Sequence, residues 1–149
     1  MLSKQLLVKI CFGLVVGIGL LSCEQDPFTT NPNHKLEFSA DTVRFDTVFS
    51  TISSITLELR VYNRHNKAIK INKLWLEGGS GSVFRFNADG YPSGQTKMLE
   101  NIEIPANDSI FVFVEITPQS NMQSTPVQVT DNLLFSLNGQ TQKVILEAY

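Results

Sequence analysis

Apolar and polar side chains alternate with a period of two along most of this chain, from Leu36 onward. The alternation is clearest over residues 55–62, where aliphatic residues occupy every odd position. Successive side chains of a β-strand point to opposite faces, so this pattern predicts a half-buried strand with Glu58 and Arg60 toward water. No part of this region shows a convincing 3.6-residue period, and we predict an all-β body.

Turn residues divide this region into short strands. Asn138-Gly139 separates two long alternating runs, 127–137 and 140–148, and is the strongest hairpin signal in the chain. The other predicted strands span 36–39, 43–49, 55–62, 69–76, 83–87, 97–104 and 110–117. A total of about seven to nine strands at this spacing predicts an immunoglobulin-like β-sandwich over residues 35–149. A jelly roll or a small barrel is the alternative.

The strand over residues 69–76 contains the only tryptophan of the chain. Its apolar positions are odd at the start and even at the end, and the change of parity near Asn72-Lys73 predicts a β-bulge. With Leu74 and Leu76 facing the core, Trp75 faces outward. In the alternative interpretation there is no bulge, and Trp75 is the core tryptophan of the sandwich.

The strand over residues 110–117 has two different faces. Its aliphatic residues share one face, whereas Phe111 and Phe113 share the other. Outward aromatic side chains indicate a covered or binding surface, for a sugar or for a neighbouring protein domain. The candidate binding residues are Trp75, Tyr91, Phe111 and Phe113. In the alternative, structural interpretation, the N-terminal strand covers the two phenylalanines.

Residues 1–22 have the pattern of a bacterial signal peptide. Lys4 and Lys9 form a positive start, and an apolar run follows over residues 10–21. At 1.5 Å per residue this run would extend about 18 Å, which is too short for a bilayer core of about 30 Å. It has the length of the hydrophobic region of a secretory signal.

The apolar run ends in Leu20-Leu21-Ser22-Cys23, which resembles a lipobox. The resemblance implies cleavage after Ser22 and acylation of Cys23, for example by palmitate, so that lipid anchors the mature chain in a membrane. Residues 23–34 contain two prolines and a polar run, which predict a flexible, extended tether. The alternative is an ordinary signal peptide that happens to end in a cysteine.

The charge of the chain and its cysteine and histidine content reduce the number of possible functions. The chain has 149 residues, with 12 Lys or Arg and 14 Asp or Glu. Loss of Lys4 and Lys9 with the signal peptide would leave 10 basic and 14 acidic residues, a net charge of −4. The basic excess that nucleic-acid binding requires is missing. Two cysteines and two histidines lack metal-ligand spacing, so we expect no zinc and no cofactor.

The sequence also lacks the usual catalytic patterns. The loop over residues 78–82 is rich in glycine, but no Lys-Ser/Thr pair and no predicted helix follow it. No Gly-x-Ser-x-Gly elbow occurs. His34 in the tether and His65 in a polar turn are expected to be solvated. We therefore expect no enzymatic activity.

A series of short segments runs through nearly the whole predicted domain. They are DTVRFDTVF (41–49), VYN (61–63), GG (78–79), FRFNADG (84–90), NIEI (101–104), DSI (108–110), DN (131–132) and NG (138–139). Together they resemble the N-terminal immunoglobulin-like module of Bacteroidetes-type cell-surface lipoproteins. In that family the module usually continues into a larger region, so we expect either a free-standing copy or the first module of a longer protein.

The resemblance implies a non-catalytic binding or spacer module, lipid-anchored in the outer membrane. The acidic residues of segment 24–26 resemble an export signal of this group, which implies display on the cell exterior; a periplasmic orientation is the alternative. Three Asp-Ser/Thr-apolar motifs resemble O-glycosylation sites, at Thr42, Thr47 and Ser109. The alternative functions are a carbohydrate-binding module using Trp75 and Tyr91, and a periplasmic chaperone or assembly subunit that pairs a strand edge with a client.

Overall fold

A computed structural model describes residues 28–46, 55–116 and 128–149. Within these ranges the chain forms ten β-strands and one short 3-10 turn, Gly79–Gly81. The strands are β1 (Glu37–Phe38), β2 (Thr42–Phe45), β3 (Ile55–Tyr62), β4 (Ile69–Leu76), β5 (Phe84–Ala88), β6 (Tyr91–Pro92), β7 (Met98–Ile104), β8 (Ser109–Ile116), β9 (Val129–Leu137) and β10 (Gln140–Ala148). The long strands lie close to where the period-two pattern predicts them.

The strands form two five-stranded sheets. The first sheet has the order β1-β3-β8-β5-β6, and the second has the order β2-β10-β9-β4-β7. Neighbouring strands are antiparallel except for β2 and β10, which are parallel. The immunoglobulin-like sandwich is thereby confirmed. The described residues hold ten strands rather than seven to nine, because the two-residue strand β6, which the sequence did not predict, adds a short edge.

The core lies between the two sheets and is built from the inward face of each strand. In β8 the aliphatic side chains at alternate positions are buried. In β3 Leu59 and Val61 are buried and Ile55 and Leu57 are half-buried on the same face, and buried side chains alternate likewise toward the ends of β9 and β10. Phe84 of the first sheet and Phe135 of the second are fully buried. Burial of a side chain of this size contributes roughly 1.5–3 kcal/mol, so the packed faces hold the sheets together.

The change of parity in β4 is confirmed, but its cause differs from the predicted bulge. Ile71 pairs with Ile102 before the change, and Lys73 pairs with Glu100 after it. The register of the β4–β7 ladder is therefore the same before and after this point. One residue in each strand, Asn72 in β4 and Asn101 in β7, is left out of the pairing. Asn101, the residue passed over in β7, has a left-handed φ of 57°. A kink shared by both strands thus reverses the parity without an extra residue in either.

Two tight hairpins have turn residues of the same kind, and the first of them is the predicted Asn138-Gly139 hairpin. Asn138 and Gly139, between β9 and β10, both have positive φ, 47° and 75°. Asp89 and Gly90, between β5 and β6, have positive φ of 50° and 84°. Two-residue loops of this type match the twist of the flanking strands, and asparagine, aspartate and glycine tolerate the left-handed region.

The start of the described chain differs from the predicted tether. Over residues 28–34 the segment packs against the sandwich: the backbone N–H of Thr29 donates to the Ala68 carbonyl at 2.9 Å. Gln142 of β10 donates to the Leu36 carbonyl and accepts from the Leu36 N–H, both at 2.9 Å. These bonds explain why a proline-containing segment is ordered here. Contacts with the sandwich therefore begin before residue 35.

Other predictions fall on residues outside the described ranges. They include the signal peptide over 1–22, acylation of Cys23, the acidic segment 24–26 and the Thr47 motif. Within the described ranges, no helix has the length and apolar character needed to span a membrane.

Candidate functional site

The outer surface of the first sheet carries a patch of aromatic and arginine side chains. We call this patch, formed by Arg60, Tyr62, Phe111 and Phe113, the aromatic face. Phe111 and Phe113 project from β8 on the side opposite the core and are 38% and 40% exposed. Their ring centroids are 6.2 Å apart and the rings are nearly parallel, with an interplanar angle of 21°. The two phenylalanines thus present one continuous apolar surface.

Arg60 is held in place within the aromatic face. It lies opposite Phe111 in the β3–β8 ladder, with its guanidinium carbon 4.8 Å from the centroid of the Phe111 ring. The same carbon is 5.5 Å from the Tyr62 ring, and Nε donates to the Ser109 hydroxyl at 3.1 Å. Cation–π contacts and this hydrogen bond fix a flexible side chain in one orientation. A fixed guanidinium loses little conformational entropy when a partner binds.

Trp75 lies on the outer surface of the other sheet. Its neighbours Leu74 and Leu76 are fully buried, so the ring faces away from the core. Trp75 is nevertheless half-buried, beside its cross-strand partners Met98 and Leu134. Nζ of Lys73 lies 4.8 Å from the centroid of the ring. The lysine and the neighbouring strands reduce the area on which a sugar could stack.

Tyr91 is separate from both of these places. It pairs with Ala88 at the end of the β5–β6 hairpin and is 66% exposed. It lines a shallow cleft of about 440 Å³ together with residues of β7. The structure therefore places the four aromatic candidates at three locations, and it brings together only Phe111 and Phe113.

Two of the three glycosylation motifs lie within the described residues. Thr42 is half-buried in the edge strand β2, where it pairs with Ile145. Ser109 is half-buried at the start of β8, and its hydroxyl accepts the hydrogen bond from Arg60. A glycan on Ser109 would compete with that hydrogen bond.

His34 and His65 are not the solvated side chains that we expected. Their rings stack in parallel, with centroids 4.1 Å apart and an interplanar angle of 6°. Nδ1 of His34 shares a hydrogen bond of 2.8 Å with the Thr29 hydroxyl, and Nε2 of His65 lies 3.0 Å from the Lys35 carbonyl oxygen. The pair attaches the N-terminal segment to the sandwich. Among the described residues, no cluster of three or more His, Cys, Asp or Glu side chains could hold a metal ion.

Asn63 has a structural role that the sequence did not reveal. It follows β3 in the predicted polar turn, yet it is fully buried. Its amide nitrogen donates to the carbonyls of Lys67, Ile104 and Pro105, at 2.8, 3.1 and 2.9 Å. Its amide oxygen accepts from the His65 N–H at 3.0 Å. One side chain thereby joins the β3–β4 turn to the β7–β8 turn.

Lys97 is the second residue that sequence reasoning missed. It lies in the loop before β7 and is only 9% exposed. Burial, and to a smaller extent the nearby Arg85 guanidinium, lower the pKa of Lys97 below its usual value. No signal in the sequence distinguishes this loop lysine from an exposed one. Its surroundings are described below.

The open edges of the sheets bear on the chaperone alternative. Strands β1 and β6 border the first sheet, and β2 and β7 border the second. Of these four, β7 is the longest, with seven residues. It would be the first edge to test for pairing with a client strand, but Pro105 follows it directly and Asn101 interrupts its pairing with β4.

Comparison with known proteins supports the fold and leaves the function open. No family model matches this sequence, and no curated protein matches it. A solved structure of a protein of unknown function from Porphyromonas gingivalis W83 is similar, with a TM-score of 0.57 and 9% identity. The match covers 76% of this chain and 45% of that one.

Two further solved structures are similar to this chain at low identity. One is a family 123 glycoside hydrolase from Clostridium perfringens, with a TM-score of 0.50, 6% identity, and coverage of 76% of this chain and 27% of that one. The other is the PapD-like domain 7 of human CEP192, with a TM-score of 0.48, 12% identity, and coverage of 82% and 89%. The chain spans less than half of the Porphyromonas gingivalis protein and of the glycoside hydrolase, and at such identities the likeness to these two shows the fold alone.

Proposed function

We propose that this chain is a non-catalytic binding or spacer module of a cell-surface lipoprotein, anchored through Cys23 in the outer membrane and facing the cell exterior. The observation that carries the binding role is the aromatic face. The lipobox-like tetrapeptide and the acidic residues after Cys23 support the anchor and the orientation.

The composition of the aromatic face fits a protein partner. Phenylalanine, tyrosine and arginine are enriched at protein–protein interfaces and supply many of the energetically dominant contacts. Here Phe111 and Phe113 offer apolar area, and the fixed Arg60 offers a charge that a carboxylate or a backbone carbonyl of the partner would meet. We therefore propose that a neighbouring folded domain docks on this face.

The packed N-terminal segment sets the distance to the membrane. Phe28 follows Cys23 by five residues. Five residues extend at most about 18 Å, so an acylated Cys23 would hold the domain close to the lipid surface. Phe28 lines one cleft with Asn138 and Gly139 of the last hairpin. This end of the sandwich would face the membrane.

The anchor is tested by Cys23→Ala in the native cells, followed by membrane fractionation. We expect the variant to leave the membrane fraction, whereas a Cys11→Ala control remains there. A Cys23→Ala protein that still fractionates with membranes would contradict the lipid anchor. Protease treatment of intact cells then tests orientation, because only a surface-displayed domain is degraded before lysis.

The docking role is tested with a photo-crosslinking amino acid at position 113 in the same cells. We expect a discrete crosslinked protein that is reduced by Phe111→Ser. The matched control places the crosslinker at position 143, which is exposed on β10 of the opposite sheet. Absence of a product from position 113, or an equal product from position 143, would contradict docking on the aromatic face.

A further inference from the structure

The loop between β6 and β7 crosses from the first sheet to the second and is bound at both ends. Ser93 donates its N–H to the Phe86 carbonyl at 2.9 Å, which ties the loop to β5. The Lys97 carbonyl accepts from the Leu76 N–H at 3.1 Å, which ties it to β4. Gly94 and Lys97 have left-handed φ values of 61° and 54°. A non-glycine residue in this region is uncommon, and here both sheets hold it in place.

A cavity of about 620 Å³ lies between this loop and the outer side of β5. We call it the lysine cavity. Its polar side chains include Arg85, Asn87, Ser93, Gln95, Lys97 and Glu115. The volume falls within the range of about 300–1,000 Å³ that is typical of small-molecule sites.

The charges of the lysine cavity are not balanced. Arg85 forms an ion pair with Glu115, with 2.9 Å between Nη2 and Oε2. Within the described residues, no hydrogen bond or ion pair reaches the ammonium group of Lys97, although the residue is 9% exposed. The stem of the Lys97 side chain is buried, whereas its ammonium group keeps contact with water and is only partly desolvated. The cavity therefore has one cation without an anion.

The lysine cavity also has an acceptor without a donor. Oδ1 of Asn87 is buried and makes no hydrogen bond. Nearly all buried polar atoms in folded proteins have a partner, so an exception needs an explanation. A carbonyl oxygen accepts a hydrogen bond from a hydroxyl group or from an N–H group. The hydroxyl of Ser93 and the amide of Gln95 line the same space.

We propose that the lysine cavity binds an acidic sugar, whose carboxylate pairs with Lys97 and whose hydroxyl groups meet the polar side chains of Asn87, Ser93 and Gln95. A carboxylate supplies the missing anion, and it forms strong charge-assisted hydrogen bonds with an ammonium group. A sugar ring places several hydroxyl groups near that carboxylate, where the other polar side chains can reach them. The site is separate from the aromatic face and from the anchor, and it stands whether or not the proposed function is correct.

The test is calorimetric titration of the full chain in detergent with D-glucuronate, D-galacturonate and N-acetylneuraminate. D-glucose tests the contribution of hydroxyl groups alone, and acetate tests that of a carboxylate alone. We expect at least one acidic sugar to bind at least about tenfold more tightly than either comparator, since charge-assisted and neutral hydrogen bonds act together in one site.

Two pairs of variants connect that binding to the cavity. Lys97→Met should weaken binding by at least about tenfold, whereas Lys143→Met, which removes a lysine from the opposite sheet, should leave it within about twofold. Asn87→Asp places a second carboxylate beside the ligand and should weaken binding similarly, whereas Asn66→Asp in the exposed β3–β4 turn should not. The asparagine pair keeps the test valid even if Lys97→Met does not fold.

Three results would overturn the proposal. The first is that none of the three acidic sugars binds more tightly than glucose and acetate. The second is equal loss of binding in the cavity variant and the control variant of either pair. The third is that inorganic sulfate binds as tightly as the best acidic sugar, because that would show an anion site without recognition of a sugar.

Discussion

Asn63 and Asn87 are two asparagines with buried amide atoms and opposite surroundings. Asn63 uses both amide atoms, with three carbonyls accepting from its nitrogen and one N–H donating to its oxygen. Asn87 has a buried oxygen that receives nothing, and it lines a cavity with the unpaired Lys97. The first arrangement is complete within the chain and stabilises the fold. The second is incomplete within the chain, and we propose that a ligand occupies the cavity that Asn87 lines.

The largest expected effect on stability comes from replacing Asn63, whose amide nitrogen and oxygen both form hydrogen bonds. Asn63→Ala deletes the donor for three carbonyls at two turns, and buried carbonyls without partners are costly. We expect the free energy of unfolding to fall by about 3 kcal/mol. Urea unfolding of the full chain measures it. Asn66→Ala, in the exposed part of the same turn, is the control and should change stability by less than about 0.5 kcal/mol. Equal effects of the two substitutions would show that the buried hydrogen bonds of Asn63 contribute nothing.

Replacing Lys97, which has no ion-pair partner, is expected to change stability by a smaller amount and in the opposite direction. Lys97→Met nearly keeps the length of the side chain and removes a partly desolvated charge that has no partner. In the absence of ligand at pH 7, we expect the free energy of unfolding to rise by a few tenths of a kcal/mol, and by at most about 1 kcal/mol, because contact with water limits the cost of the charge. Lys143→Met on the surface should leave stability nearly unchanged. A loss of stability in Lys97→Met would mean that the ammonium group supports the folded state, contrary to our comparison.

The gain from Lys97→Met should depend on pH. Burial lowers the pKa of Lys97 in the folded state below that of the unfolded chain. Above the folded-state pKa the unfolded chain binds more protons at this site, so the wild-type protein gains stability relative to the variant as pH rises. The difference between the two proteins should therefore narrow from pH 7 toward pH 10.5. Urea midpoints across that range measure it, and a difference that widens with pH would contradict the lowered pKa.

The smallest effect is expected at Asn87 itself. Since Oδ1 makes no hydrogen bond, Asn87→Ala removes no partnered atom, and we expect stability to change by at most about 0.5 kcal/mol. The same substitution should still weaken binding of an acidic sugar. Thermal unfolding with and without ligand separates the two readouts. A large loss of stability without ligand would place Asn87 in the same class as Asn63.

The periodicity of the sequence was sufficient to predict the strands and the direction of several side chains. The outward position of Trp75 followed from the parity of Leu74 and Leu76, and the outward phenylalanines followed from the alternation in β8. The predicted bulge was wrong because the parity change in β4 has a counterpart in β7, where Asn101 is also left out of the pairing. The sequence of β4 alone does not reveal that counterpart. Residues 28–34 of the predicted tether form hydrogen bonds with Ala68 and with Gln140 of β10, which lie far along the chain and give no local signal in the sequence.

Local sequence determined the all-β character, the hairpin turns and the exposure of Phe111 and Phe113. Each of these depends on neighbouring residues, through strand alternation or the tolerance of asparagine and glycine for positive φ. Tertiary structure alone decided that Asn63 is enclosed by carbonyls of another turn and that Lys97 is buried beside Asn87. A loop lysine is buried or exposed according to which strands the loop crosses. That depends on contacts between distant segments, which no local pattern encodes.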